Sequence, residues 1–135
     1  MIDKDNLLFV YGTLLLSDHP MHQYLLTYTK FVSEGIVQGS LYDLGAYPGF
    51  VHSDRPDDYV HGHIYAIQNE ELLAVLDEYE GIGAPYEKPY EYERQMILVN
   101  AASGTVSCWV YIYNWSLDGQ VVIPTGDYLK HLSST

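Results

Sequence analysis

The sequence predicts an α+β fold whose sheet is largely antiparallel. The chain has 135 residues, which is an ordinary length for one domain. About six segments show the apolar or alternating pattern of β-strands, and helix-like segments lie between them at irregular intervals. Because strands and helices do not alternate regularly, a doubly wound parallel sheet is disfavoured. No linker, repeat or low-complexity tract divides the chain, so residues 1–135 are expected to form a single domain.

The first two elements are predicted to be a buried strand and a short helix. Apolar residues from Leu7 to Tyr11 indicate the strand, which a glycine then ends. Ser17 or Asp18 is expected to cap a helix over residues 21–29, with Pro20 near its first turn.

Residues 31–44 have β character but contain two glycines. Gly35 and Gly39 are positions where a bulge or bend is expected. The following residues 45–49 have the composition of a turn, in which Pro48 fixes φ and Gly49 can adopt a positive φ.

The second half of the chain is predicted to contain one helix among several strands. Residues 59–67 alternate cleanly, with the even-numbered side chains on one face. Asn69 is expected to cap a helix over residues 69–80, and the glycines and prolines that follow prevent its continuation. Further strands are predicted over residues 92–99, 106–115 and 121–123, followed by a C-terminal turn of helix.

The charge balance argues against nucleic-acid and membrane partners. Six Lys and Arg residues stand against 18 Asp and Glu residues, which gives a formal net charge of −12 and a sequence pI near 4.5. Such a surface repels phosphate backbones and anionic lipids. The apolar runs are also far shorter than the ~20 residues that a membrane-spanning helix needs.

Two further features indicate a cytoplasmic protein. The N-terminal stretch MIDKDNLLFV lacks the pattern of a signal peptide, because acids precede a short apolar run and no small-residue cleavage site follows. Cys108 is the only cysteine, so an intramolecular disulfide is excluded, and its strand context predicts a small buried hydrophobe. Nothing in the sequence defines an oligomeric state, and a monomer is the default expectation.

Glu80 is the most informative residue of the predicted helix. At about 100° per residue, the apolar side chains of this helix cover an arc of about 160°. The other four acids fall outside that arc, whereas Glu80 falls inside it. Burial and the carbonyl ends of the helix would both raise the pKa of this carboxyl group, as a general base and acid requires. In the alternative, Glu80 frays into solvent at the helix end or pairs with Arg94.

Two glycine-bearing loops are candidates for ligand binding. In residues 9–14 a strand runs into Gly12 and Thr13, where successive backbone N–H groups could hold a carboxylate; a plain turn is the alternative. Residues 41–50 place two turn glycines around Tyr47, and an ordered surface loop explains them equally well.

Four motifs together resemble the gamma-glutamylcyclotransferase-like superfamily, particularly its gamma-glutamylamine cyclotransferase branch. They are YGTL at 11–14, LYDLGAYPG at 41–49, LDEYEG at 76–81 and YER at 92–94, and they occur in one order. The resemblance spans about residues 7 to 128. It implies a small mixed, largely antiparallel β-barrel flanked by short helices.

The resemblance also implies a reaction. Members of the superfamily cyclise a gamma-glutamyl group to 5-oxoproline and release the free amine without a cofactor. The catalytic glutamate of the family falls on Glu80, and the substrate-gripping loop falls on Tyr11, Gly12, Thr13 and Leu14. The chain departs from the family pattern at His63, where an acid would be expected.

Several other residues are weaker candidates. Tyr47, Tyr86, Tyr92, Arg94 and Tyr113 are hypothesised to line the pocket. His52, His61 and His63 invite a metal hypothesis, but solvated strand-face residues explain them better, so no metal is expected.

Two classes of function therefore remain open. The first is a cofactor-independent cyclotransferase acting on a small gamma-glutamyl substrate. The second is a non-catalytic ligand-binding or interaction domain on the same fold.

Overall fold

Five strands close into a barrel in the structure, a computed structural model that describes residues 6–83 and 85–133. The first residues of the N-terminal stretch considered above, residues 1–5, lie outside the described residues. The barrel strands are β1 (Leu7–Val10), β2 (Thr29–Gln38), β5 (Tyr59–Ile67), β6 (Tyr92–Ala101) and β7 (Gly104–Tyr113). A smaller sheet contains β3 (Ser40–Asp43), β4 (Pro48–Val51) and β8 (Val121–Val122). The helices are a 3₁₀ turn (Thr13–Leu15), α1 (Pro20–Tyr28), α2 (Glu71–Tyr79) and α3 (Tyr128–Ser133).

The barrel follows the order β1-β5-β2-β6-β7. Its strand pairs are antiparallel except for β1 with β7, which are parallel and close the barrel where Leu8 faces Trp109. The predicted α+β class and the barrel implied by the family resemblance are therefore confirmed. Within the described residues, no helix is long and apolar enough to cross a membrane.

The barrel wall is buried on both faces over part of its surface. One core cluster joins side chains of the barrel strands, such as Phe9, Ile64 and Val110, to residues of the smaller sheet and α3. A second cluster joins side chains such as Leu8 to Leu72 and Leu76 of α2. Because both faces are covered here, all four residues of β1 are buried, which explains why this strand shows an apolar run instead of alternation.

Two sequence predictions about the first half of the chain are wrong in detail. Ser17 or Asp18 was the predicted cap of α1, but His19 caps it. The ring nitrogen of His19 accepts a hydrogen bond from the N–H of Met21 at 3.0 Å. The irregularity of β2 lies between Phe31 and Ser33, while Gly35 lies in regular pairing.

The segment predicted as a turn contains a strand. Residues 48–51 form β4, which pairs with β3, and Gly39 separates β2 from β3. Gly49 lies within β4 and has no positive φ; Gly45 supplies it, with φ of 110°. The pairing with β3 gives this Gly- and Pro-containing segment partners that local composition does not reveal.

Candidate active site

A cavity of about 290 Å³ lies where the end of β1, the start of β4 and the end of α2 meet. The YGTL segment, Tyr11 to Leu14, lines one side of it, and Glu80 lies on its wall as well. Two segments about 70 residues apart in the sequence are thus brought to one cavity by the pairing of β1 within the barrel and the packing of α2 on its outside.

The backbone of Glu80 is held by the way in which α2 ends. Asn69 accepts a hydrogen bond from the N–H of Glu71 at the start of this helix, at 2.9 Å. At its end, Gly81 has φ of 79° and donates to the carbonyl of Glu78, while Ile82 donates to the carbonyl of Asp77. This pair of bonds around a left-handed glycine is the Schellman motif, which satisfies the last carbonyls of a helix. Glu80 is therefore fixed at the helix terminus and does not fray.

Glu80 is half-buried, and its carboxyl group has no counterion among the described residues. Burial raises its pKa to about 8, and the negative charges of Glu91 and Asp77 act in the same direction. In the described part of the chain, the ion pairs do not involve Glu80. A carboxyl group in this range exchanges its proton readily near neutral pH, as a general base and acid must.

Arg94 does not neutralise Glu80, contrary to the alternative raised from the sequence. Its Nε and Nη2 atoms donate to the two carboxylate oxygens of Asp77 at 2.7 and 3.0 Å, and its guanidinium group lies 4.4 Å from the ring centre of Trp109. Tyr111 donates a third hydrogen bond to Asp77 at 2.7 Å. Arg94 therefore binds Asp77 and Trp109 outside the cavity, and it is not among the residues that line the cavity.

Tyr11 joins three parts of the fold through one buried phenol. Its hydroxyl donates to the carbonyl oxygen of Tyr111 at 2.6 Å and accepts from the N–H of Phe50 at 3.2 Å. Burial raises the pKa of this phenol well above its ordinary value, so it stays neutral. Tyr11 therefore ties the YGTL segment to β7 and β4, and it is also one of the residues that line the cavity.

Gly12 allows this segment to pass close to β4. A Cβ atom at this position would lie 2.9 Å from Cγ of Pro48, closer than real side chains approach. The 3₁₀ turn begins directly afterwards, with Leu15 donating to the carbonyl of Gly12. Within the described residues, the backbone N–H groups of Gly12, Thr13 and Leu14 have no protein acceptor, so they are available to a ligand.

Three of the weaker candidates from the sequence line the cavity. Tyr47, Tyr86 and Tyr92 contribute to its walls. The hydroxyl of Tyr92 donates to the carbonyl of Pro48 at 2.8 Å, which fixes that ring. Tyr113 does not line the cavity; its ring packs edge-on against Tyr92, with 5.6 Å between the ring centres.

Sequence reasoning missed several residues of the site. Glu91 lines the cavity and accepts a hydrogen bond from Tyr47 at 2.6 Å, although residues 87–93 have the composition of a solvated loop. Tyr111 also lines the cavity. It lies two residues before Tyr113, on the same face of β7, and this spacing is the signal in the sequence that could have found it. Tyr79 of α2 is 45% exposed; it contributes to the cavity wall and forms a hydrogen bond with His19 at 2.6 Å.

The histidines and the cysteine lie elsewhere. In residues 6–83 and 85–133, no three His, Cys, Asp or Glu side chains form a metal-binding group. His63 packs edge-on against Phe31, and His61 is exposed on β5. Cys108 is fully buried, as predicted, and burial raises the pKa of its thiol to about 12, which makes it unsuited to nucleophilic chemistry.

Comparison with known proteins identifies the family of this chain. Residues 8–130 match the family described as "Gamma-glutamyl cyclotransferase, AIG2-like". A Vibrio cholerae protein provisionally named a gamma-glutamylcyclotransferase is 35% identical over 129 residues, covering 94% of this chain and 98% of the relative. The gamma-glutamylcyclotransferase family protein YtfP of Escherichia coli K12 is 33% identical, covering 90% of this chain and 95% of the relative.

Solved structures share the fold of this chain. The solution structure of Escherichia coli YtfP has a TM-score of 0.67 and 31% identity, covering 93% of this chain and 97% of YtfP. The crystal structure of Bacillus subtilis YkqA has a TM-score of 0.72 and 26% identity, covering 96% of this chain. This chain spans only 42% of the length of YkqA.

Proposed function

The chain belongs to the AIG2-like gamma-glutamyl cyclotransferase family, and we propose that it cyclises a gamma-glutamyl amide to 5-oxoproline and releases the free amine. The substrate would be a small gamma-glutamyl amine or gamma-glutamyl amino acid bound in the 290 Å³ cavity. The observation that carries the proposal is the uncompensated carboxyl group of Glu80, held on the cavity wall with a pKa near 8.

In the proposed reaction, the α-amino nitrogen of the substrate attacks its own side-chain carbonyl carbon. A new C–N bond closes the five-membered lactam, and the C–N bond to the departing amine breaks. The attacking nitrogen loses two protons on going from ammonium to lactam N–H, while the departing nitrogen gains two and leaves as an ammonium ion. No water or cofactor is consumed, so atoms and charge balance.

Glu80 serves as the proton acceptor and then the donor in this sequence. The ionised carboxylate takes a proton from the α-ammonium group, and the resulting carboxylic acid returns it to the departing nitrogen. A pKa near 8 suits both steps, because neither form is strongly disfavoured near neutral pH. Since the attack is intramolecular, holding the substrate in the reactive geometry supplies much of the remaining acceleration.

The YGTL segment would supply that positioning. The free N–H groups of Gly12, Thr13 and Leu14 are suited to bind the α-carboxylate of the glutamyl group. Among the described residues that line the cavity, no Lys, Arg or His could bind this carboxylate instead. Tyr11 fixes this segment through its bonds to β7 and β4. The single cysteine favours a reducing, cytoplasmic setting for the reaction.

The test is incubation of the protein with a panel of gamma-glutamyl amines and gamma-glutamyl amino acids, followed by mass-spectrometric detection of 5-oxoproline. We expect 5-oxoproline and the free amine in equal amounts from at least one compound. If a compound raises the melting temperature but none is converted, the cyclotransferase proposal is wrong and the domain is a non-catalytic binder of gamma-glutamyl compounds.

A further inference from the structure

His19 is not among the residues that line the cavity, but it contacts one that does. Its Nδ1 atom accepts the hydrogen bond from the backbone N–H of Met21 that caps α1, at 3.0 Å. Its Nε2 atom lies 2.6 Å from the hydroxyl oxygen of Tyr79, the last residue of α2. The two rings pack edge-on, with 5.5 Å between their centres. His19 therefore bridges the start of α1 and the end of α2.

The cap of α1 determines which way the bond between His19 and Tyr79 runs. A neutral imidazole carries a hydrogen on one ring nitrogen, and its other nitrogen is an acceptor. Because the N–H of Met21 donates to Nδ1, that atom is the acceptor and the hydrogen lies on Nε2. Nε2 consequently donates to Tyr79, and the hydroxyl hydrogen of Tyr79 is left to point elsewhere.

Tyr79 extends this contact to the YGTL segment. Its hydroxyl also shares a hydrogen bond with the side chain of Thr13, and both residues line the cavity. A bond between two hydroxyl groups uses one of their two hydrogens. If His19 were the acceptor, it would take the second hydrogen, but His19 is the donor. Among the described residues, no further acceptor contacts this hydroxyl pair, so one hydrogen remains available to a ligand.

The α-carboxylate of the glutamyl group is the acceptor that suits this hydrogen. Thr13 also supplies one of the free backbone N–H groups proposed to bind that carboxylate, so the hydroxyl pair adjoins the same part of the cavity. A carboxylate accepts several hydrogen bonds at once, and bonds to a charged acceptor are stronger than neutral ones. A hydroxyl donor of fixed direction would therefore add to the backbone donors.

We infer that His19 is a positioning residue for substrate binding. Through its Nε2–H it holds the hydroxyl pair of Tyr79 and Thr13 in the orientation that donates a hydrogen bond to the α-carboxylate of the glutamyl group. This inference rests on the proposed cyclotransferase function and adds a residue outside the cavity to the same site. The α-carboxylate does not change during cyclisation, so loss of this contact should raise KM and leave kcat unchanged.

His19→Asn separates the positioning role from helix capping. The side-chain oxygen of asparagine is a good N-cap acceptor, so α1 keeps its cap, but this shorter side chain cannot also reach Tyr79. For a gamma-glutamyl compound that the native chain converts, we expect KM to rise about three- to tenfold, the scale of one hydrogen bond. The kcat and the urea unfolding midpoint should not change. His52→Asn is the matched control, because His52 is exposed and does not line the cavity.

Tyr79→Phe tests whether His19 acts through the phenol hydroxyl. We expect this variant to raise KM as well. In the Tyr79→Phe chain, His19→Asn should have no further effect, because no hydroxyl is left there to orient. An unchanged KM in His19→Asn would overturn the inference. So would an undiminished effect of His19→Asn in the Tyr79→Phe chain, or a loss that falls on kcat alone.

Failure of the proposed function gives a different result. If no gamma-glutamyl compound releases 5-oxoproline, that function fails separately, and the calorimetric Kd of the gamma-glutamyl amide of n-butylamine replaces KM. Weaker binding to His19→Asn, with no such difference in the Tyr79→Phe chain, supports the inference. Equal binding to the native chain and His19→Asn, or no binding to the native chain, overturns it.

Discussion

Arg94 and Asp77 form a two-point ion pair that fastens the last turns of α2 to β6. Nε and Nη2 of Arg94 donate to the two oxygens of Asp77 at 2.7 and 3.0 Å, and Tyr111 adds a bond from β7. Because Asp77 precedes Glu80 by less than one helical turn, this ion pair also fixes the backbone from which the Glu80 side chain extends. The position of the proposed catalytic carboxylate thus depends on a contact outside the cavity.

Asp77→Asn is expected to destabilise the fold by about 1–2 kcal/mol. The amide nitrogen of asparagine is itself a donor, so it cannot accept the hydrogen bonds that Arg94 and Tyr111 donate to the carboxylate. Urea unfolding should show a lower midpoint with an unchanged slope. Glu78→Gln is the matched control, since Glu78 is exposed on the same helix and its replacement should change stability by less than about 0.5 kcal/mol. Equal midpoints for the native chain and Asp77→Asn would show that the ion pair contributes nothing.

The pH dependence of turnover should report the ionisation of Glu80. As the general base it must be deprotonated, so kcat/KM is expected to fall about tenfold per pH unit below about 8. Glu91→Gln should move this limb to lower pH, because the negative charge of Glu91 disfavours ionisation of Glu80. The ionisation of the substrate is the same in both proteins and cannot cause the shift. A limb near the ordinary carboxyl value of 4.5 would contradict the assignment.

The raised pKa of Glu80 also predicts how stability changes with pH. Between its ordinary value of 4.5 and about 8, the folded state keeps a proton that the unfolded state releases. The contribution of this group to stability is therefore lost as pH rises through that window. Glu80→Gln lacks this loss, so it should gain about 1–3 kcal/mol relative to the native chain between about pH 5 and about pH 9. Urea unfolding of both proteins at the two pH values measures the change, and a constant difference would refute it.

Gly12→Ala should weaken substrate binding more than it slows the chemical step. The φ of Gly12 is −128°, which alanine also adopts, but the added methyl would press against Cγ of Pro48. Displacement of the YGTL segment should raise KM several-fold and reduce stability by about 1 kcal/mol. Pro48→Ala in the same chain should restore KM, because it removes the colliding atoms. No recovery in the double variant would exclude this contact as the cause.

Much of the site could be predicted from the sequence where periodicity or turn chemistry is strong. The helical pattern placed Glu80 inward, and the glycine after it forms the turn that holds it there. The same pattern placed Asp77 just outside the apolar arc, yet Asp77 packs against the barrel through Arg94 and Tyr111. A helical wheel does not represent how far the side chains of neighbouring elements reach. Here the long side chain of Arg94 and the hydroxyl of Tyr111 reach Asp77 at the edge of the buried helix face.

The rest depends on long-range contacts. Residues 48–51 form a strand because β3 lies beside them. Glu91 is held at the cavity because the N–H of Asn114, directly after β7, donates to its carbonyl oxygen. Neither feature has a local period. Tyr113 and Arg94 lie on strands that border the site, but neither lines the cavity. The Tyr113 ring packs against Tyr92, and the Arg94 side chain binds Asp77.

The most direct test is 5-oxoproline release by Glu80→Gln beside Glu78→Gln, measured by mass spectrometry on a compound that the native chain converts. Glutamine keeps the shape of residue 80 but cannot accept and return the proton. We expect a loss of at least ~100-fold for Glu80→Gln, the usual scale for general acid–base catalysis, with substrate binding retained and Glu78→Gln unaffected. A Glu80→Gln rate within a few-fold of the native rate would contradict the central role of this carboxylate.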